Sequence, residues 1–256
     1  MRLNLSTSTS SRRGTWLALW PARATMTTIL AHRGNIAGPS PREENRLAVI
    51  TTALARGWGL EVDIRRARDG RFYLSHDPQP SADDGLLAGK WCAALRRTPE
   101  AVVALNVKEL GDEEDLIKFL RAEQVLRQVV LFDMELIEPV PGETARRLRA
   151  LNPLVRIAAR ASDRGESIDR ALAIDAASVI WLDEFDRQWS TEADVRRLKR
   201  AGRAVFAVSP DLHRFPLDRA RARWTDFIEW GVDAICTDYP GELARVIAMA
   251  RDGVTA

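Results

Sequence analysis

Only three of the 256 residues are histidines. Two of them, His32 and His76, flank a stretch in which two acids, Glu61 and Asp63, stand one residue apart. On a strand that spacing turns both carboxylates to one face and Leu60, Val62 and Ile64 to the other. The apolar face packs against neighbouring elements, so the acids must point inward, where like charges repel and are poorly hydrated. Two arrangements relieve this. One is a hard divalent cation, Mg2+ or Ca2+, which prefers oxygen ligands and can keep positions open for water or phosphate. The other is an ion pair from each acid to a nearby arginine. His32 and His76 carry the side chain best suited to proton exchange near neutral pH. Asp77 could hold the His76 imidazole in one tautomer, although Asp77-Pro78 is also an ordinary turn start. Arg33 offers a planar guanidinium for bidentate contact with phosphate, and Lys108 adds a point charge. A cation, two proton-transfer groups and two basic side chains are together the equipment of phosphoryl chemistry.

Something must bring these residues to one place. From Thr27 onward, short runs rich in β-branched residues alternate with segments of helical period, the pattern of βαβ units and a parallel sheet. Strands are expected over 27–31, 60–65, 102–108, 128–134, 155–160, 178–183, 204–209 and 234–238. Helices are expected over Asn45–Arg56, Glu113–Glu123, Gly142–Leu151, Thr191–Ala201, Leu217–Trp230 and Gly241–Arg251. Eight strand-helix units predict an α/β fold of the (β/α)8 TIM barrel type, a single domain of the usual size of about 250 residues. An open doubly wound sheet is the alternative, but it would carry a Gly-rich phosphate turn after its first strand, where this chain reads His32-Arg33-Gly34. In a parallel barrel the active site gathers at the carboxyl ends of the strands. The polar residues expected there are His32, Arg33, Glu61, Asp63, Asn106, Lys108, Asp133, Asp183, Glu184 and Asp238. His213, after the seventh strand, is a candidate substrate-loop residue.

Composition narrows the partners. The net charge is +2 with acids and bases interleaved, so no one-sided basic face for nucleic acid is expected. The run Arg196-Arg197-Leu198-Lys199-Arg200 reads as a solvated helix face. Cys92 and Cys236 are far apart, without the spacing of a disulfide framework or a zinc site, and fit a reducing, cytoplasmic setting. No apolar run approaches the ~18 residues of a membrane span. Residues 1–25 contain no acid and hold a short apolar patch, Trp16 to Trp20. They read either as a targeting peptide or as an extension upstream of a start at Met26, and residues 26–256 as the folded domain. Oligomeric state is not legible.

The ordered set Ala31-His32-Arg33-Gly34, Glu44-Asn45, Glu61-Val62-Asp63, Asp69-Gly70 and His76-Asp77 resembles the glycerophosphodiester phosphodiesterase family. Gly231-Val232-Asp233-Ala234-Ile235-Cys236-Thr237-Asp238-Tyr239-Pro240 looks like that family's last barrel strand. The resemblance implies a barrel that hydrolyses a small phosphodiester with one divalent cation. It implies His32 and His76 in the acid and base positions, Glu61 and Asp63 as metal ligands, and Arg33 on the phosphate. The chain departs from the family at the third strand, where Asn106-Val107-Lys108 replaces the usual Glu-x-Lys. Asn106 keeps a carbonyl oxygen for the ion but loses a charge, and Asp133 is the alternative third ligand. Glu109 lies on the wrong face to substitute. The family's Pro-Glu-Asn-Thr element is altered to Pro41-Arg42-Glu43-Glu44-Asn45-Arg46, where Ser40, Pro41 and Glu43 also fit a helix cap and Glu44 is a supporting candidate. The leading expectation is a metal-dependent diester hydrolase working through two histidines. A lipid or sugar phosphodiesterase forming a cyclic product and a phosphate-ligand binding protein with a weakened metal site are the alternatives.

Overall fold

The structure is a computed structural model and describes residues 26–253; the expectations for residues 1–25 lie outside them. In chain order the strands are β1 (Thr28–His32), β2 (Gly59–Arg66), β3 (Phe72–Leu74), β4 (Leu86–Leu87), β5 (Val103–Val107), β6 (Val129–Phe132), β7 (Arg156–Ser162), β8 (Val179–Asp183), β9 (Ala204–Val208) and β10 (Ala234–Thr237). Eight of them are parallel neighbours in the order β1-β10-β9-β8-β7-β6-β5-β2, and β1 pairs with β2 to close the ring. Closure rules out the open sheet. The two extra strands, β3 and β4, extend β2 as an antiparallel insertion that carries His76 on the loop between them.

The helices are α1 (Leu47–Ala55), α2 (Ala88–Leu95), α3 (Glu113–Ala122), α4 (Met134–Ile137), α5 (Glu143–Leu151), α6 (Ile168–Ala173), α7 (Glu192–Arg200), α8 (Leu217–Glu229) and α9 (Pro240–Arg251). On α7, Thr191 and Asp194 form a capping box, Val195 and Leu198 are buried, and the basic residues Arg196, Arg197, Lys199 and Arg200 around them are exposed as expected. The Ser40-Pro41 helix cap is not formed: residues 41–45 make a turn in which Ser40 O accepts the Glu43 and Glu44 amides, and α1 begins at Leu47.

Alternation along the strands builds two cores. Leu60, Val62 and Ile64 of β2 pack outward against the helices, as their spacing predicts. The barrel interior holds Leu30, Val130, Phe132, Trp181 and Phe206. Phe132 and Trp181 stack at 4.3 Å between ring centroids and lie almost wholly buried, forming a floor. Trp181 therefore supports the mouth from beneath instead of reaching into it. Strand β6 is shorter than the expected 128–134, because Asp133 adopts a left-handed φ of 71° that ends the strand and starts α4.

Candidate active site

The first turn after β1 sets the site. Arg33 and Gly34 both have positive φ, 50° and 79°, and at Gly34 a Cβ would come within 3.2 Å of Val49 and Ile50. The sharp turn lets the Arg33 amide donate to Glu61 Oε2 at 3.2 Å, across the β1–β2 register in which His32 sits opposite Glu61. A non-glycine residue held in this region marks local strain of the kind that gathers at functional sites. On the other side, His32 Nδ1 meets Asp238 Oδ1 at 2.7 Å, and the Asn35 amide donates to the same oxygen at 2.7 Å. Asp238 is fixed in turn by its own amide, which donates to Asp211 Oδ2 at 2.9 Å. Burial alone would lower the His32 imidazole, but the Asp238 bond and nearby Glu61 outweigh it and hold it above its usual value.

The two acids of β2 differ in environment. Asp63 Oδ1 pairs with Lys108 Nζ at 2.8 Å, and Asp63 Oδ2 lies 3.3 Å from Arg33 Nε and 3.0 Å from the Asn45 amide that donates to it. Burial would raise this carboxyl, yet Lys108 and Arg33 prevail and keep it below its usual range. The ion-pair arrangement is thus realised for Asp63. Glu61, only 3% exposed, has the Arg33 amide and, at 3.9 Å, His32 Nε2. Burial and then repulsion from Asp63 push its carboxyl up to about 7.

The oxygen donors here are of the kind that a hard divalent ion takes. Glu61 is a buried carboxylate with less positive charge around it than Asp63 has, and Mg2+ is commonly held by one or two carboxylates with water and phosphate completing its shell. Among the described residues no group of three or more His, Cys, Asp and Glu gathers as a metal cluster. That agrees with an amide at position 106 in place of a third acid.

Asn106 is the register neighbour of Asp63 on β5. Its amide donates to Asp133 Oδ2 at 3.1 Å. Asp133, the alternative third ligand, is engaged on both oxygens by Arg160 Nη2 at 2.7 Å, so it serves as the partner of Asn106 and Arg160. Glu109 pairs with Arg65, away from Asn106. Glu44 accepts from Arg33 Nη1 at 2.9 Å, which places the altered loop in contact with the site.

His76 is apart from this buried group. Its side chain is 45% exposed and its Nδ1 meets Asp77 Oδ1 at 2.9 Å, the contact their adjacency suggests. Its carbonyl accepts from Arg65 Nε and Nη2. His76 joins the site through a cavity of about 330 Å3, lined by Arg33, Glu44, Asn45, His76 and Asp77 among others. Arg160 and Asn35 carry no motif that singles them out in the sequence, whereas Asn45 stands in the Glu44-Asn45 element without a role assigned to it there. The signal for Asp238 was its place at the end of the last strand.

In sequence the chain matches no family model and no curated relative. Solved structures do match. A candidate glycerophosphodiester phosphodiesterase from Galdieria sulphuraria aligns with TM-score 0.70 at 18% identity, over 89% of this chain and 100% of that one. A glycerophosphoryl diester phosphodiesterase from Parabacteroides distasonis aligns with TM-score 0.66 at 17% identity, over 91% and 90% of the two chains. The fold is that of the glycerophosphodiester phosphodiesterases. A third such barrel, a phosphodiesterase from Oleispira antarctica in complex with its product sn-glycerol-3-phosphate, aligns with TM-score 0.61 at 17% identity, over 87% and 97% of the chains. The barrel that these phosphodiesterases share thus spans nearly all the described residues. Among the described residues no helix is long and apolar enough to cross a membrane.

Proposed function

We propose that the protein hydrolyses a small phosphodiester, of the glycerophosphodiester kind, to a phosphomonoester and an alcohol. The observation that carries this reading is the His32 imidazole, bound to Asp238 on one nitrogen and turned toward Glu61 on the other, beside the Arg33 and Lys108 cations. The product named for the Oleispira antarctica barrel, sn-glycerol-3-phosphate, is what such a reaction would release.

Glu61 and Asp63 would hold one divalent cation, Mg2+ or Ca2+, with Asn106 as the third, weaker ligand. Bound there, the ion would supply charge stabilisation on the phosphoryl oxygens. Arg33, reachable from the cavity, binds the non-bridging phosphate oxygens, and Lys108 adds charge next to it. Asp238 holds the His32 ring so that Nε2 faces the reacting group. One histidine takes the proton of the attacking water as the new P–O bond forms; the other gives a proton to the alcohol oxygen as the old P–O bond breaks. His32 and His76 are the two candidates for these tasks.

The test is hydrolysis of glycerophosphodiesters by the purified full chain, with Mg2+, with Ca2+ and with chelator. Chelator-sensitive release of glycerol phosphate is expected. A folded protein that turns over no diester with either metal overturns the reading and leaves phosphate binding without hydrolysis as the alternative, which the Asp63–Lys108–Arg33 pairing would suit.

A further inference from the structure

The catalytic reading uses the β1, β2, β5 and β10 side of the mouth and leaves the opposite side without a task. That side is also built of charged and polar groups. Arg160 of β7 lies between two carboxylates, with Nη2 on Asp133 at 2.7 Å and Nη1 on Asp183 Oδ2 at 2.9 Å. Asp183 Oδ1 then meets His213 Nε2 at 2.6 Å. The His213 ring packs on Phe185 at 4.4 Å between centroids, and Arg164 covers Phe185 at 4.3 Å. Asp163 accepts the amides of Phe185, Asp186 and Arg187 and so pins the loop that carries the ring.

This group differs from a sealed structural ion pair such as Arg223–Glu184, whose side chains are 6% and 1% exposed. Arg160, Asp133 and His213 keep 11%, 14% and 17% of their side-chain surface open. With Nε2 engaged by Asp183, His213 Nδ1 has no partner among the described residues. Asp133 is saturated, accepting two bonds on each oxygen from Arg160 and Asn106, whereas Asp183 accepts one bond on each oxygen and keeps lone pairs to spare. The turn that bears His213 also bears Asp211, which holds the Asp238 amide, so this side is tied directly to the backbone beneath His32. The spare lone pairs of Asp183, an unoccupied ring nitrogen on His213 and the Phe185 edge suit alcohol hydroxyls, with Asp133 holding Arg160 in place. A hydrocarbon chain there would desolvate charged groups without replacing their hydrogen bonds.

We propose that Asp133, Arg160, Asp183 and His213 form a subsite for the alcohol group of the diester, specific for a substituent bearing several hydroxyls, with His213 as the specificity-determining residue. The inference rests on the phosphodiesterase reading, and names the substrate class for it. His213 touches the substituent and has no part in breaking the P–O bond, so its removal weakens binding of a hydroxylated ester and leaves the chemical step alone.

The experiment compares glycerophosphoinositol, hydroxylated at both ends, with p-nitrophenyl phosphorylcholine, hydroxylated at neither. In His213→Leu the KM for glycerophosphoinositol should rise on the order of tenfold or more, the loss of one good hydrogen bond. Its kcat, and both constants for the choline ester, should stay within about twofold of wild type. His213→Gln, which retains a donor for Asp183, guards against simple collapse of the loop and should show the same selective rise. Calorimetric binding of glycerophosphoinositol in chelator reads the subsite without turnover, and should weaken in parallel. Equal losses on both esters, or unchanged binding and KM for glycerophosphoinositol, overturn the subsite. Failure of wild type to hydrolyse either ester overturns the phosphodiesterase reading; binding of glycerophosphoinositol that still depends on His213 would then uphold the subsite alone, and absence of binding would overturn both.

Discussion

The side-chain amide of Asn106 donates to Asp133 at 3.1 Å while the same residue stands opposite Asp63 in the β2–β5 register. A carboxylate at position 106 would have a second carboxylate at hydrogen-bond distance and a third on the next strand. Asn106→Asp is therefore expected to lower stability by about 1–3 kcal/mol through a lost bond and like-charge repulsion. In an Asp133→Asn background the same change should cost less, because the repulsion is gone. Denaturant melts of the four proteins of this cycle measure the coupling, and a coupling near zero would mean that the contact carries no energy.

His32 and His76 occupy different environments, one buried on Asp238 and the other on an exposed loop over the cavity. Replacement of either by Ala should cut turnover by about a hundredfold or more, as loss of a proton-transfer group does. The thermal midpoint should move least for His76→Ala, since an exposed side chain contributes little packing. Near-normal turnover of His76→Ala would remove that residue from the chemistry and leave His32 with a partner still to be found.

Asp163 is tied to acid stability. Burial would raise its carboxyl, but the amides of Asp186, Phe185 and Arg187 hold it below its usual value. A depressed native pKa adds stability that is full above the unfolded value of ~3.9 and fades as pH falls through the native one. At neutral pH, Asp163→Ala should cost on the order of 1 kcal/mol, kept small by solvent around a half-exposed group. The gap from wild type should close as pH falls below that of an ordinary aspartate. Unfolding curves at neutral and acid pH check this; a gap independent of pH would contradict it.

Both cysteines should be inert in the native protein. Burial pushes the Cys92 thiol up to about 12 and raises Cys236, deep in the barrel, well above the usual range. A thiol reagent added at neutral pH should label neither until denaturant unfolds the chain, and then should label two. Fast labelling under native conditions would show that the barrel opens locally around one of them.

Much was legible in one dimension because period is a local property. The Leu60-Glu61-Val62-Asp63-Ile64 alternation determined which way the two acids point, since a strand with one apolar side must bury that side whatever the sheet around it. The alternation of strands and helices likewise pointed to a parallel sheet and to the end at which His32 and Arg33 would lie, and the β1–β2 pairing closed that sheet into a barrel. Boundaries were less secure, as at β6, where a left-handed Asp133 ends the strand early. The tertiary structure alone decided how charge is shared among the side chains collected at the mouth. No spacing shows that Lys108 and Arg33 both choose Asp63 and leave Glu61 with less compensation, or that Asp238, 206 residues from His32, supplies its imidazole partner. Closure of the ring brings β1 beside β10, and electrostatics at contact distance then selects the pairs from groups that the chain holds far apart.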